Sequence, residues 1–261
     1  MTKAIILIVG LVCILAMAAA IKLFYFPTVK DAYFAMDQRS LQQAPAGLVI
    51  IRPTHFSLSV FRRGVIYTPS RRDENSASRL MGRDVSLRDI IAVAWQENAA
   101  RVLIPAGAPT NDFDFIITAG DPKKQLQKAI RRTFGYTADK ETLQTGVLAL
   151  KVEDPALPGL TVSANGEKEG SDFKQGKLYI RHLQLKELTS GFEQVLKTPV
   201  VDETGLTNYY DFSVTWTTQF LMQLRDEATA RPAVDKLLGN WGLGLEPDTA
   251  SLEMLVVEKK Y

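Results

Sequence analysis

Residues 199–216, PVVDETGLTNYYDFSVTW, are the most strongly patterned stretch of the chain. Large apolar residues occupy every second position of residues 210–216, with Asp211 and two hydroxyl residues between them. An alternation of period two predicts a strand with one buried face. Gly205 lies in the preceding turn, where glycine can take a positive φ without steric cost. We therefore expect a helix-like segment, a tight turn and a half-buried strand in this region.

Two other segments carry clear helix signals. Ser86 and Asp89 form a start like a capping box, followed by apolar residues at the spacing of one buried helix face. Asp121 and Pro122 supply an N-cap and a first-turn proline for a second helix, and Gly135 is placed to end it. Helices are therefore expected after residues 86 and 121.

The remaining elements alternate between strands and helices. Apolar patterning predicts strands over residues 48–51, 113–119, 147–152, 177–183 and 252–258, a hairpin over 56–67, and helices over 185–197 and from Pro232 to Gly242. Such an order is typical of an α+β fold with mixed or antiparallel sheets and packed helices.

The two halves of the chain share similar blocks. Leu87 aligns with Leu185 at a shift of 98 residues (185 − 87), and Asp114 aligns with Asp211 at a shift of 97 (211 − 114). The shift later grows to 107, because residues 217–231 resemble an inserted amphipathic segment. We expect a tandem duplication of a strand-helix-strand-helix-strand-strand unit. Chance similarity within an ordinary α+β domain is the alternative.

The N-terminal residues indicate where in the cell the protein is located. Residues 4–21 contain no charged side chain and are just long enough to cross a bilayer as a helix. Lys3 and Lys22 flank this run, and the apolar residues continue through 23–26 with an aromatic collar. A retained signal anchor over residues 1–26 is favoured, and a signal peptide cleaved at the small residues of the run is the alternative.

The domain organisation follows from these boundaries. We expect a juxtamembrane connector over residues 27–47, a first α+β repeat with an N-terminal hairpin over 48–158, and a second repeat over 159–261. The expected location is the cell membrane, crossed once, with the C-terminal domain extracytoplasmic, or periplasmic where the envelope has two membranes. Secretion after signal-peptide cleavage is the alternative.

Composition excludes several classes of protein. Lys and Arg total 31 against 29 Asp and Glu, so the net charge of +2 gives no reason to expect nucleic acid as a partner. The only cysteine, Cys13, cannot form an intramolecular disulfide or a cysteine metal cluster. The two histidines, His55 and His182, form no HExxH motif, and GxSxG, P-loop and GxGxxG motifs are absent from the sequence. We therefore expect no cofactor, no metal and no enzyme activity.

The C-terminal half resembles a known family. The blocks VVDETGL, YDFSVTW, GLGLEP and LEMLVVEK resemble an uncharacterised family of exported proteins that is expanded in soil bacteria such as acidobacteria and verrucomicrobia. The likeness spans about residues 48–259. Related domains in that family are sometimes fused to membrane metallopeptidases of the β-lactam-sensor type. The resemblance implies no catalytic residues.

Asp114 and Asp211 are the first acidic candidates for a site. Each is flanked by aromatic residues at an equivalent position of the two halves. Paired carboxylates can perform acid–base chemistry. The simpler interpretation, which we favour, places each aspartate on the outward face of a strand whose neighbours fill the core.

The second candidate is the loop of Asp202, Glu203, Thr204 and Gly205, which together with Asp211 we expect to be a structural or contact loop. An Asx-type turn explains Asp202 without any ligand. The favoured function is a membrane-anchored, noncatalytic interaction or ligand-binding module outside the cytoplasm, with an envelope protein as an expected partner. An envelope sensor acting with a separate membrane protein and an unrecognised carboxylate-dependent hydrolase are the alternatives.

Overall fold

The computed structural model describes residues 34, 44–54, 65–67, 79–164, 168–215, 217–225 and 227–260. These residues form an α+β structure, as the sequence predicts. They belong to two compact units, unit 1 from Met1–Ile90 and Pro109–Phe134, and unit 2 from Ile91–Ala108 and Gly135–Tyr261. Within the described ranges, no helix is both long and apolar enough to span a membrane. The run of residues 4–21 lies outside them.

The elements are numbered in chain order. Strands β1 to β12 are Val49–Pro53, Val65–Tyr67, Leu80–Val85, Val102–Leu103, Phe113–Ile117, Tyr136–Val152, Thr161–Val162, Gly170–Lys174, Lys177–Leu183, Val200–Asp202, Tyr210–Thr215 and Leu243–Lys259. Helices α1 to α5 are Leu87–Trp95, Pro122–Phe134, Leu185–Leu196, Thr218–Arg225 and Glu227–Gly239. A short 3₁₀ turn, Ala99–Arg101, follows α1.

The helix starts at residues 86 and 121 are confirmed. The Ser86 hydroxyl accepts the Asp89 N–H at 3.1 Å and donates to the Asp89 carboxylate at 2.7 Å. Asp121 Oδ1 accepts the N–H groups of the second and third residues of α2, at 3.1 and 3.2 Å. Gly135 follows α2 with φ +75°, a conformation that glycine adopts without strain.

Unit 1 contains a four-stranded sheet in the order β1-β5-β3-β2, with every neighbouring pair antiparallel. Strand β5 lies between β1 and β3, and all five of its residues are buried. Helix α2 buries Leu126 and Ile130, and Phe134 at its end meets Phe113 edge-on with ring centres 5.0 Å apart. Phe34 is also buried and packs against Met81 of this sheet. Phe34, which belongs to the expected connector over 27–47, is therefore part of the core of unit 1.

Unit 2 contains a second four-stranded sheet, in the order β7-β11-β9-β8. Its neighbouring strands are also antiparallel. The predicted half-buried strand is confirmed, because Tyr210, Phe212 and Val214 are buried in the core of the unit. Trp216, the fourth residue of the predicted apolar face, lies outside the described residues.

These two sheets share an irregularity. In each, the strand before a helix pairs with a later strand, and the register shifts by one residue near the end of the pairing. The pairs flanking the shift are Gly82–Phe115 and Val85–Phe113 in unit 1, and Ile180–Phe212 and Leu183–Tyr210 in unit 2. Of the two residues inside each bulge, the second has a positive φ of 55°. This residue is Asp84 in unit 1 and His182 in unit 2.

A third sheet, also in unit 2, has the order β10-β6-β12-β4. Strands β6 and β12 are antiparallel and pair over 17 residues each, with Gln144 opposite Ser251 at the midpoint. Strand β10 is parallel to β6, and β4 is parallel to β12. The predicted strands over 147–152 and 252–258 are thus only parts of β6 and β12. Strands β6 and β12 together form a two-stranded ribbon. The polar residues 139–142 are all exposed, so this part of the ribbon shows no apolar alternation in its sequence.

Two other expectations need correction. Residues 200–202 are a strand and not a helix-like segment, because their hydrogen-bonding partner is the distant strand β6. Pro232 lies inside α5 and does not open it, since the residues before it, EATA, include good helix formers that extend the helix toward its N-terminus. Strand β6 pairs with β12 along its whole length and thereby belongs to unit 2. The repeat boundary itself stays a prediction.

Candidate functional site

The loop after β10 is closed by its own hydrogen bonds. Asp202 Oδ1 accepts the Thr204 N–H at 3.0 Å and the Thr204 hydroxyl at 2.7 Å. Thr204 Oγ1 in turn accepts the Leu206 N–H at 3.1 Å. Gly205 has the expected positive φ, +67°. Glu203 is exposed, and its carboxylate lies 3.8 Å from the Lys151 ammonium. This arrangement matches the Asx-type turn predicted from the sequence.

Asp211 braces the bulge between β9 and β11. Its Oδ1 accepts the Ser163 hydroxyl at 2.5 Å and the His182 backbone N–H at 2.9 Å. The His182 imidazole stacks on the ring of Tyr209 with centres 4.0 Å apart. The carboxylate therefore contacts His182 through the main chain, so the three residues do not have the hydrogen-bonding order of a Ser–His–Asp triad.

Asp114 occupies the corresponding place in unit 1. Its Oδ1 accepts the Thr54 hydroxyl at 3.0 Å and the Asp84 N–H at 3.1 Å, and its Oδ2 pairs with Arg52 at 3.3 Å. The sequence placed this residue on an outward face, and that expectation is wrong, since its side chain is only 1% exposed. The two aspartates lie on different sheets, and each uses its carboxylate to hold a bulge.

A surface cavity of about 540 Å³ lies in unit 2. It is formed where the end of β11, helix α4 and helix α5 meet, and α4 is the segment that the repeat alignment identifies as an insertion. Its described lining residues are Ser213, Thr215, Thr217, Gln219, Phe220, Gln223, Pro232, Ala233, Lys236, Leu237, Asn240 and Trp241. The alignment thus gave one signal for this site, but it did not indicate a cavity.

Local hydrogen bonds and packing fix the walls of the cavity. Thr217 starts α4, because its hydroxyl accepts the Phe220 N–H at 3.1 Å. Helix α5 is anchored by buried Val234 and Leu238 on its core side. Trp241 follows α5, and its ring centre lies 4.7 Å from that of Phe212 on β11. The cavity is therefore attached to the main core of unit 2.

The polar groups of the lining are hydroxyls, amides and one ammonium. None of the described lining residues is acidic. Asp235, next to Lys236 in the chain, pairs with Arg231 Nε at 2.7 and 2.8 Å. Among the described residues, no carboxylate lies within ion-pair distance of the Lys236 ammonium. Within the described part of the chain, the cavity therefore carries one positive charge, that of Lys236, without a carboxylate partner.

Two lysines on β6, Lys140 and Lys151, have carboxylate partners. Lys140 lies 2.6 Å from Glu253 and 3.1 Å from Glu97, and hydrogen bonds to these two groups raise the pKa of Lys140. Lys151 lies 2.9 Å from Glu246, and the hydrogen bond to that carboxylate raises the pKa of Lys151. In the ranges that the structure describes, no group of His, Cys, Asp and Glu side chains could hold a metal ion.

A second buried charge, besides that of Asp114, was not anticipated from the sequence. Glu193 on α3 is 2% exposed and accepts hydrogen bonds from Arg101 Nε at 3.0 Å and from an Arg101 terminal nitrogen at 2.8 Å. The Val200 N–H donates to the same carboxylate at 3.0 Å. All these partners belong to unit 2, so the pair joins α3, the 3₁₀ turn and β10.

Comparison with known proteins adds a family. A family model described as a protein of unknown function, DUF3738, matches residues 88–259. The match includes Asp114 and Asp211, the two aspartates that brace the bulges, and every element around the cavity. No curated protein and no solved structure matches the chain.

Proposed function

We propose, from the premise that this chain belongs to the DUF3738 family of proteins of unknown function, that it is a noncatalytic ligand-binding module. The observation that carries the proposal is the cavity between β11, α4 and α5. Its volume, about 540 Å³, falls within the range of roughly 300 to 1,000 Å³ that is common for small-molecule sites. The module is exported and held at the membrane by residues 4–21.

The chemistry of the lining supports a binding role. Apolar groups such as Phe220 and Leu237 lie beside polar side chains, several of which bond to no described residue. In particular, the side-chain amides of Gln219, Gln223 and Asn240 make no hydrogen bond to any described residue. A mixed lining with a few free polar groups is typical of sites that both bury and orient a small ligand.

The acidic residues support a noncatalytic role. Asp202 and Asp211, the candidates from the sequence, use their oxygens to close a turn and to brace a bulge. A general acid or base needs a carboxylate that can reach a substrate proton. Engagement with the backbone favours a structural role for both residues.

The proposed address is supported by the sequence of the N-terminus. Residues 4–21 carry no charge, and lysines flank them on both sides. The resemblance to exported proteins of soil bacteria, some with relatives fused to membrane metallopeptidases of the β-lactam-sensor type, is consistent with a module that works outside the cytoplasm next to an envelope protein.

We also propose that the chain arose by tandem duplication. The sheet orders β1-β5-β3-β2 and β7-β11-β9-β8 correspond strand by strand. The bulges, their positive-φ residues and the aspartates that brace them also correspond. An experimental structure tests the duplication by superposition of residues 79–152 on 177–259 with the insertion omitted, and a different strand order in the two halves would refute it.

A fragment screen tests the binding function. The full chain in lipid nanodiscs is screened against a library of small fragments by ligand-observed NMR. Gln223→Trp fills the cavity with an indole, while Gln194→Trp places the same group on an exposed position of α3 outside the cavity. We expect a set of fragments that bind the wild type and Gln194→Trp but not Gln223→Trp. The proposal fails if the library binds all three proteins equally or binds none of them.

A further inference from the structure

We infer that the ligand of this cavity is a small organic carboxylate with an apolar body, and that Lys236 binds its anionic group. This inference rests on the proposed binding function and adds the chemical class of the ligand. It depends on three properties of the lining: one cation and several amide donors that have no partner among the described residues, and an apolar wall.

The first property is the charge. Lys236 is the only charged side chain in the described lining, and the adjacent Asp235 is held by Arg231. Lys140 and Lys151 on the ribbon, by contrast, each have carboxylates within 3 Å that neutralise them. A lone positive charge at a concave surface attracts anions more strongly than it does at a flat, fully solvated surface.

The second property is the set of amide groups. Gln219, Gln223 and Asn240 each carry an NH₂ group with two donor hydrogens, and none of these side chains bonds to a described residue. A carboxylate has two oxygens that can accept from an ammonium and from amides together. A dianionic phosphate would leave an uncompensated negative charge against a single lysine, so a monoanion fits this lining better.

The third property is the apolar wall. Phe220, Pro232 and Leu237 line the same cavity as Lys236 and leave room that an inorganic anion would not fill. Burial of hydrocarbon against these groups is favourable because it removes apolar surface from water. A ligand with an aromatic or aliphatic body and a carboxylate at one end would use both parts of the lining.

The test uses three probes that share one apolar body. The probes are 3-phenylpropionate, 3-phenylpropanamide and 3-phenylpropylamine, which at neutral pH are an anion, a neutral molecule and a cation. Each is titrated by NMR into the full chain in nanodiscs of zwitterionic lipid. We expect the anion to bind about fivefold more tightly than the amide, and the cation to bind most weakly. The difference between anion and amide should shrink at high salt.

Two lysine variants test whether Lys236 causes the preference for the anionic probe. Lys236→Gln should remove the preference for the anion while the amide binds as before, and Lys186→Gln, an exposed lysine of α3 outside the cavity, should leave the preference unchanged. Equal binding of anion and amide to the wild type, or an anion preference that survives Lys236→Gln, would overturn this inference and leave the proposed binding function intact. Absence of all three probes from the cavity also counts against the inference, and the fragment screen then decides the binding function separately.

Discussion

Glu193 and Arg101 lie 92 residues apart in the sequence and form a two-point ion pair in which the glutamate is almost completely buried. The same carboxylate accepts the Val200 N–H, so it also fixes the start of β10. A buried charge is tolerated only when its partners satisfy it, and here an arginine and a backbone amide do so.

Glu193→Ala should therefore destabilise the protein. The change leaves the Arg101 charge and the Val200 N–H without an acceptor, and we expect a loss of about 2 to 4 kcal/mol. This is below the usual range for a fully buried pair, because Arg101 is 28% exposed and water screens it. Urea denaturation measures the change, and Glu141→Ala, at an exposed carboxylate of β6, is the control with little effect. An unchanged urea midpoint for Glu193→Ala would contradict the structural role.

Gly205→Val should act through the backbone alone. A Cβ at this position meets no described atom within 4 Å, so the substitution causes no clash, but the φ of +67° is strained for a β-branched residue. We expect a loss of roughly 1 to 3 kcal/mol in the free energy of unfolding. Gly146→Val in β6 is the matched control, since its Cβ also meets nothing within 4 Å and its φ is not positive. Similar urea midpoints for both variants would show that the turn does not require glycine.

Asp202→Asn separates a structural loop from a reactive one. The amide oxygen of asparagine can accept the same bonds from Thr204, so we expect a stability loss below about 0.5 kcal/mol. Asp202→Ala removes the acceptor and should cost about 0.5 to 1.5 kcal/mol. Both variants should bind the cavity probes as the wild type does. Normal stability of Asp202→Asn together with complete loss of binding would instead make this loop the functional site.

The N-terminal anchor predicts a fractionation result. Since residues 4–21 are uncharged and long enough to cross a bilayer, the protein should stay with the membrane through a carbonate wash. A tag at the C-terminus should be accessible to protease added from outside the cell. Recovery of a shorter soluble species that begins near residue 19 or 21 would show that the segment is a cleaved signal peptide.

Features encoded by neighbouring residues were predicted correctly from the sequence. Three such features are the Ser86 cap, the Asp121 cap and the alternating residues of β11. Each depends on a few adjacent positions, so its pattern can be recognised without knowledge of the fold. The same holds for the turn at Gly205, because the hydrogen bonds that close it join Asp202, Thr204 and Leu206 within the loop.

Features that depend on pairing between residues far apart in the sequence were not predicted. Strand β10 has three residues and exists because β6 lies beside it, so its own sequence carries no strand pattern. The exposed middle of the ribbon is stabilised by pairing between strands and not by burial, so it shows no apolar period. The lining of the cavity comes from β11 and from two helices that follow it. That Lys236 has no carboxylate partner among the described residues is evident only once Arg231 is seen to hold Asp235.

The order β10-β6-β12-β4 also bears on how this chain came to be a single polypeptide. If the chain is divided into the two expected repeats, residues 48–158 and 159–261, strands β4 and β6 come from the first half and β10 and β12 from the second, so adjacent strands of the sheet always belong to different halves. Neither half holds two neighbouring strands of this sheet, and the halves are interlocked like the subunits of a strand-exchanged homodimer. Under the proposed duplication, a single-copy ancestor would have closed the sheet only by self-association, and the fused chain carries that former subunit interface as its own interior.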